Sequence, residues 1–536
     1  VRRREARVGF GASARVSTGA WPTRALAVLA VAIAIAACGV LTRWPGQRRD
    51  AAGACPTGTI QADAPRVSED DPVSTPRKQA WEDAHGGKEA ARPYVRARLR
   101  GWPARALADR ATLPADDRAL LVRVARDTWR GLAALSDRAS GLPVDHVRLG
   151  DGDAWASDAR VGDYTSITNV GMYLLAIVAA HELELLSADD AVAAITQVLD
   201  TLDRLETHEG FFFNYYDTTS LERTSNLISF VDTGWLSAGL IVARRRFPAL
   251  DARCSDLIRR MDYRFFYDPA LGQMSHGYYV HRHKRSRYHY GVLYTEARLG
   301  SVIAIGKGDV PEDLWFDMVR TYAPTCAGQS ARPLGIKRKT VRGHALTAGW
   351  YEWQGLRYVP SWGGSMFEAL MPALVLDEVR HAPRSLGAND EVYATVQRRY
   401  ALEELAYPVW GMSPSALPAA DGYGEYGVRA LGSAGYPPGA VTPHAAALAL
   451  LVTPAAATAD LRTLAERYDV YGDFGFYDVV EPRSGRVGRA YYALNQSMIL
   501  VAAANVLAPH CIQERFASDP IVAGALPVIG AEDFFE

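Results

Sequence analysis

The stretch Gly171-Met-Tyr-Leu-Leu-Ala-Ile-Val-Ala-Ala-His-Glu-Leu-Glu-Leu-Leu186 decides the fold class. Its opening residues, Gly171 to Ala180, carry no charge and no polar side chain beyond one tyrosine hydroxyl. The run is too long for a core strand, and a helix through it is apolar on every face. Such a helix has to be covered on all sides. The cover follows at once: Ser187-Ala-Asp-Asp190 is a cap with an acidic first turn, opening a second helix to about residue 206. Asp117 to Asp137 places Leu120, Leu121, Val124, Trp129 and Leu132 at helical spacing. Further helices are expected over 232–247, 292–306, 311–322, 364–380, 389–405, 443–453, 457–468 and 490–507. Pro311 and Pro443 are first-turn prolines behind polar caps. Alternating strand patterns with hairpin turns are scarce. Buried helices in pairs imply an all-α fold, an α/α toroid of about twelve helices in which an outer ring shields an inner one.

The whole chain has 536 residues, 49% of them hydrophobic and 22% charged, with a formal net charge of −1. This is a folded composition. A mean hydropathy of −0.09 with one long apolar run excludes a polytopic membrane protein. Balanced charge argues against a nucleic-acid partner. Five cysteines are too few for a disulfide framework, and no CxxC pair is present. The near-neutral total conceals two unlike parts. Residues 1–50 hold nine basic and two acidic side chains, and the rest holds 50 basic against 58 acidic.

The basic part precedes an apolar run from Ala25 to Leu41, the order of an export signal or membrane anchor. The run ends in Ile35-Ala-Ala-Cys-Gly39, which resembles a bacterial lipoprotein box with Cys38 as the acylated residue. An uncleaved anchor and an ordinary cleaved signal are the alternatives. Each places the remainder outside the cytoplasm, in the periplasm or cell envelope. The expected division is 1–41 as signal or anchor, 42–110 as a flexible Pro/Ala/Arg-rich tether, and 111–536 as the functional domain. Cys55 lies in the tether, so its pairing with Cys254, Cys326 or Cys511 is left open.

Between the helices lie loops crowded with Gly, Trp, Tyr, Ser and Asp, such as Gly210-FFFNYYDTTS, Tyr358-VPSWGGS and Asp421-GYGEYG. Aromatic faces beside carboxylates and small polar groups suit a sugar. The C–H face of a pyranose stacks on a ring while its hydroxyls take hydrogen bonds. Trp235, Tyr288, Tyr290, Arg298, Trp362, Trp410, Tyr426 and Tyr477 are the candidate substrate-binding residues; any single aromatic has core packing as its plain alternative. Glycoside hydrolysis uses two carboxyl groups, one protonated as acid and one acting as base or nucleophile. Glu296 and Asp232, each where a loop enters an apolar helix, are the catalytic pair expected. Burial would raise the pKa of Glu296, as an acid requires. The plain alternatives are an ion pair with a neighbouring arginine for Glu296 and helix capping for Asp232. Glu368, Glu425 and Asp478 are secondary candidates, followed by Glu481.

His276, His281, His283 and His289 share one stretch, but Arg282, Lys284, Arg285 and Arg287 among them disfavour a metal cation. That stretch reads as a solvated basic loop, or as a contact for an anionic glycan substituent. No cofactor or metal is expected. P-loop and GxSxG patterns are absent.

Eight segments in order then carry a family likeness: Thr168-NVGMYLLAIVAAHEL, Val231-DTGWLSAGL, Tyr288-HYGVLYTEARLGSVIAIGKGDVP, Val359-PSWGGSMFEALMP, Tyr407-PVWGMSPS, Val441-TPHAAALAL, Phe474-GFYDVVEP and Asn495-QSMIL. Together they resemble the bacterial glucoamylase-like domain family and, more distantly, the glycosidase-type domain of cyclic β-1,2-glucan synthases. The resemblance implies an (α/α)6 barrel acting on β-linked glucans, chiefly β-1,2-linked, by hydrolysis or transglycosylation. It implies Glu296 as the acid and Asp232 as an active-site acid. In synthase-like members the Trp-Gly-x-Ser segment continues with a glutamate that resembles a nucleophile. Here it reads Trp410-Gly-Met-Ser-Pro414, which disfavours retention through that position. The expected function is an exported endo-β-1,2-glucanase, inverting. The alternatives are a glucan transglycosylase in the same cleft, a non-catalytic glycan-binding lipoprotein, and an envelope scaffold.

Overall fold

The computed structural model describes residues 73–150, 159–326 and 328–536. The expected signal, Cys38 and Cys55 lie outside the described residues. The first elements are α1 (Pro76–Ala84) and α2 (Lys88–Arg98). Both fall inside the segment expected to be a flexible tether, and that expectation is corrected from residue 76 onward. Lys78 is 2% exposed and its ammonium sits on the carboxylates of Asp163 and Asp217. Arg98 grips Asp137 with two bonds of 2.7 and 3.1 Å. Charges that read locally as solubilising are partners for distant carboxylates, and no local window carries that information.

The main body comprises α3 (Asp117–Ala134), α4 (Ile167–Glu182), α5 (Ala188–Leu202), α6 (Phe230–Arg246), α7 (Asp251–Arg260), α8 (Ala297–Gly306) and α9 (Asp313–Asp317). It continues with α10 (Met366–Leu370), α11 (Glu378–His381), α12 (Leu386–Arg399), α13 (Pro443–Leu448), α14 (Pro454–Arg467), α15 (Ala493–Leu507), α16 (Cys511–Ala517) and α17 (Pro520–Ile529). The helix expected over 311–322 shortens to α9, because Met318 turns extended and Val319 pairs with Val292. The helix expected over 364–380 divides at Pro372, where a short 3-10 turn separates α10 from α11.

Every residue of α4 from Ile167 to Ala180 is buried, as its composition requires, and Ser166 caps it by accepting the Asn169 N–H at 3.0 Å. The following α5 buries Ala191, Ile195, Val198, Leu199 and Leu202, one stripe laid against α4. Helices α4 and α6 touch backbone to backbone. A Cβ on Gly171 would lie 2.3 Å from the Trp235 carbonyl oxygen, and one on Gly239 would lie 2.4 Å from that of Gly171. Only glycine allows this approach.

From there the packing runs round a circuit. Helix α6 packs on α8, and Arg298 of α8 donates to the Glu368 and Ala369 carbonyls of α10. Helix α10 packs on α13, α13 on α15, and α15 back on α4. A second set lies against these: α5 on α4, α7 on α6, α17 on α8, α12 on α10, α14 on α13 and α3 on α15.

Strands are more frequent than the sequence reading expects. The segments entering the buried helices pair as short antiparallel ladders, for example His146 with Tyr492, Ser166 with Tyr215, and Ser229 with Gly277. The longest sheet joins Leu334–Val341, His344–Trp353 and Leu356–Tyr358. Its first strand is almost wholly exposed, so it shows no apolar alternation to read. Among the described residues, no helix is long and apolar enough to cross a membrane.

Candidate functional site

The site is built at the starts of the buried helices. Ser229 caps α6, leaving the Asp232 side chain in its first turn free for other partners. Asp232 is not itself the cap. The Thr168 hydroxyl, from the first turn of α4, donates to its carboxylate at 2.6 Å. The Asn214 amide, with its nitrogen turned toward the carboxylate, donates at 3.0 Å to both oxygens. Asp232 is 1% exposed, and burial raises its carboxyl above the usual range although these donors pull it back.

Glu296 stands at the entry to α8, 3% exposed. Helices α6 and α8 meet close to these two residues: a Cβ on Gly234 would lie 3.0 Å from the Gly300 Cα, and one on Gly300 would lie 2.8 Å from the Phe230 ring. Asp232 and Glu296 therefore open neighbouring helices at the same end of the packing. The ion pair weighed between Glu296 and a neighbouring arginine is not formed by Arg298. That guanidinium is wholly buried, bonds Glu378 twice at 2.7 Å, and also reaches the Thr295 carbonyl at 3.0 Å. Arg298, expected to bind substrate, is corrected to a structural residue tying α8 to α10 and α11.

Glu368 is likewise committed. It completes a capping box with Ser365, and its carboxylate accepts from the N–H groups of Gly363 and Ser365 and the hydroxyls of Ser361 and Ser365, at 2.8–3.1 Å. It shapes the Trp362-Gly-Gly-Ser turn. Glu425 differs. Its Oε1 is buried with no hydrogen-bond partner among the described residues. Burial, with the nearby Glu368 carboxylate, pushes its carboxyl up to about 7. Asp478 accepts from the Asn495 side chain and the Ala416 N–H, each at 2.6 Å, and burial pushes it up to about 6.

The expected aromatic residues divide. Tyr477 is fully buried and donates its hydroxyl to the Ala106 carbonyl, so it is structural rather than substrate-binding. Tyr290 packs between Phe230 and His276, with ring centroids 6.0 and 5.3 Å away. Trp235 and Trp410 are each 2% exposed. Trp362 packs with Val292, Tyr322 and Tyr436, which ties the segment before Glu296 to the loops around Glu425. Tyr288 and Tyr426 are half-buried, and Arg287 lies 4.7 Å over the Tyr288 ring. In the basic stretch Arg282, His283, Lys284, Arg285 and Arg287 are exposed, and His289 bonds Asp268 at 3.1 Å. Among the described residues, no group of three or more potential ligands is placed to hold a metal ion.

The sequence reading missed Asp145 and His146. Asp145 accepts from Asn169 of α4 and from the His146 ring, each at 2.9 Å, and its carbonyl accepts the Ala493 N–H at the start of α15. His146 stacks on Tyr492 with centroids 4.9 Å apart. An isolated Asp-His dipeptide in a short strand has no spacing signature. Asp232, Glu425 and Asp478 are thus carboxyls whose proton affinity burial raises, a condition that suits acid–base chemistry.

The Glycoamylase family model, described as "Putative glucoamylase", matches residues 330–520. A model for a family of unknown function, DUF3131, matches residues 123–300, which contain Asp232 and Glu296. A cyclic β-(1,2)-glucan synthase, NdvB of Rhizobium meliloti (strain 1021), is 31% identical over 308 residues, 54% of this chain. The chain spans about a tenth of the length of that curated relative. A crystal structure from Bacteroides caccae ATCC 43185, described in the same words as the family model, superposes with a TM-score of 0.60 at 20% identity. It covers 77% of this chain and 99% of its own. An endo-β-1,2-glucanase from Chitinophaga pinensis, in complex with sophorotriose and glucose, gives 0.60 at 15% identity over 78% of this chain and 99% of its own. The expected likeness is thus shown: the chain carries a glucoamylase-like sequence, is homologous to a cyclic β-1,2-glucan synthase, and shares the helical fold of glucoamylase-like proteins and endo-β-1,2-glucanases.

Proposed function

We propose that this chain is a glycoside hydrolase with an (α/α)6 barrel, cleaving a β-glucan internally, with β-1,2-linked glucan as substrate. The closed packing circuit of α4, α6, α8, α10, α13 and α15, each covered by a second helix, supports the barrel. The observation that carries the activity is the placement of Asp232 and Glu296 at the starts of adjoining helices, both buried. Glu296 gives its proton to the glycosidic oxygen as the C1–O bond breaks. Asp232 takes a proton from the water that bonds to C1, directly or through a relay; Asp232 then loses that proton to solvent and Glu296 regains one from it, which restores both carboxyls for the next turnover. Pro414 occupies the position where the synthase-like segment carries a glutamate, and its carbonyl accepts the Tyr423 hydroxyl at 2.9 Å. A hairpin contact stands there instead of a nucleophile, which favours inversion.

Replacing Glu296→Gln or Asp232→Asn lowers turnover about 10²–10⁴-fold, the range of general acid–base contributions, with glucan affinity nearly intact. Full activity in Glu296→Gln would remove the assignment. The similarity to a glucan synthase carries a second reading, transglycosylation in the same cleft. Products larger than the substrate at high glucan concentration identify it. Export with acylation at Cys38 belongs to the same proposal: Cys38→Ala moves the protein from the membrane fraction to the soluble one, and unchanged membrane association overturns the acylation.

A further inference from the structure

His276 is buried, 4% exposed, and neither imidazole nitrogen has a hydrogen-bond partner among the described residues. Its backbone is held rigidly. The N–H donates to the Tyr288 carbonyl at 2.8 Å, and the carbonyl accepts the Phe230 N–H at 3.1 Å. Phe230 opens α6 two residues before Asp232, and Tyr288 lies on the segment that leads to Glu296. His276 therefore stands between the approaches to both carboxyls, with the Tyr290 ring beside it. Packing alone does not account for an imidazole here. A leucine or phenylalanine would fill the same space without burying two unsatisfied polar atoms. Burial holds the ring down to about 4, so it is neutral in ordinary buffers and offers one donor and one acceptor. A neutral ring matches sugar hydroxyls, which both give and accept, and matches an ionic group poorly. A second buried donor with no hydrogen-bond partner among the described residues, the Trp235 indole N–H, lies one turn beyond Asp232 on α6.

We propose that His276 is a substrate-binding residue that engages the hydroxyls of a neutral glucosyl unit lying between the starts of α6 and α8, and so determines which sugar is accepted. This rests on the reading of the site as a glycoside hydrolase and names a recognition element within it. The experiment compares wild type, His276→Leu and His276→Gln on linear β-1,2-glucooligosaccharides, by kcat and KM, by calorimetric affinity and by thermal midpoint. His276→Leu is expected to lose at least about tenfold in kcat/KM, chiefly through KM, with a midpoint unchanged or raised because an unsatisfied group has been removed. His276→Gln, which restores a donor and an acceptor, recovers part of the loss. Unchanged kcat/KM in His276→Leu overturns the proposal, as does a lowered midpoint with activity lost in parallel in both variants. Wild type that neither binds nor cleaves β-glucans overturns the hydrolase reading, and the role of His276 with it.

Discussion

At Glu425 burial and a neighbouring carboxylate act in the same direction, and the pH dependence follows. The folded chain keeps this proton up to about pH 7, whereas an unconstrained glutamate releases it near 4.5. Between those values the folded state binds the extra proton, so stability falls as pH rises through the window and stays lower above it. Glu425→Gln does not ionise and escapes the loss. Its melting midpoint should match wild type near pH 4 and exceed it at pH 8, by ~3 kcal/mol in stability. Equal midpoints at pH 8 would show that the carboxyl titrates normally. Arg298 gives the opposite kind of case. Arg298→Met leaves the buried Glu378 without its partner and should cost about 3–5 kcal/mol, measured by denaturant unfolding. A small loss of stability with a large rise in KM would instead return Arg298 to the substrate.

Helices α4 and α6 place Asp232 through a backbone contact rather than through long side chains. Gly171→Ala drives a methyl group into the Trp235 carbonyl, and neither backbone can yield independently of the helix that carries it. The expected loss is about 3 kcal/mol, the upper end of what overpacking costs. Because Thr168 lies one turn before Gly171 and hydrogen-bonds Asp232, turnover should fall with stability. A stable Gly171→Ala protein with full activity would mean that the helix contact does not position the carboxyl. The same element also shows what periodicity misses. Buried positions of α4 and the covering stripe of α5 are plain in the sequence, because burial is a matter of composition along one helix. The Thr168 to Asp232 bond joins two helices and has no counterpart in either alone.

Across the described residues, the segment carrying α1 and α2 is part of the folded body. Lys78 neutralises Asp163 and Asp217, two carboxylates that would otherwise face each other with little solvent. Lys78→Ala should cost about 3–5 kcal/mol and open the segment around residues 85–110 to limited proteolysis. An unchanged digestion pattern would show that the arm is held by its other contacts. The closed order of helices has a similar consequence for the site: its loops come from segments more than 300 residues apart, from Asp145 to Ala493. No single stretch contains it.

The sequence by itself determined the helical class, the buried helix α4 with its covering stripe on α5, and the two carboxyls at helix entries, because apolar runs, caps and first-turn acids are local signals. It also carries the likeness to the Glycoamylase model and to the glucan synthase, since short motifs survive in order along the chain. Only the tertiary structure decided which polar groups are already spent. Arg298 on Glu378, Glu368 on its serine turn and Tyr477 on Ala106 are consumed by partners from distant segments. Among the described residues, His276 and Glu425 keep buried polar atoms without hydrogen-bond partners, and Lys78 fastens a segment that reads as a tether. The physical reason is the same in each case. Burial and pairing depend on what lies across the fold, and a residue type records only what it is able to bond.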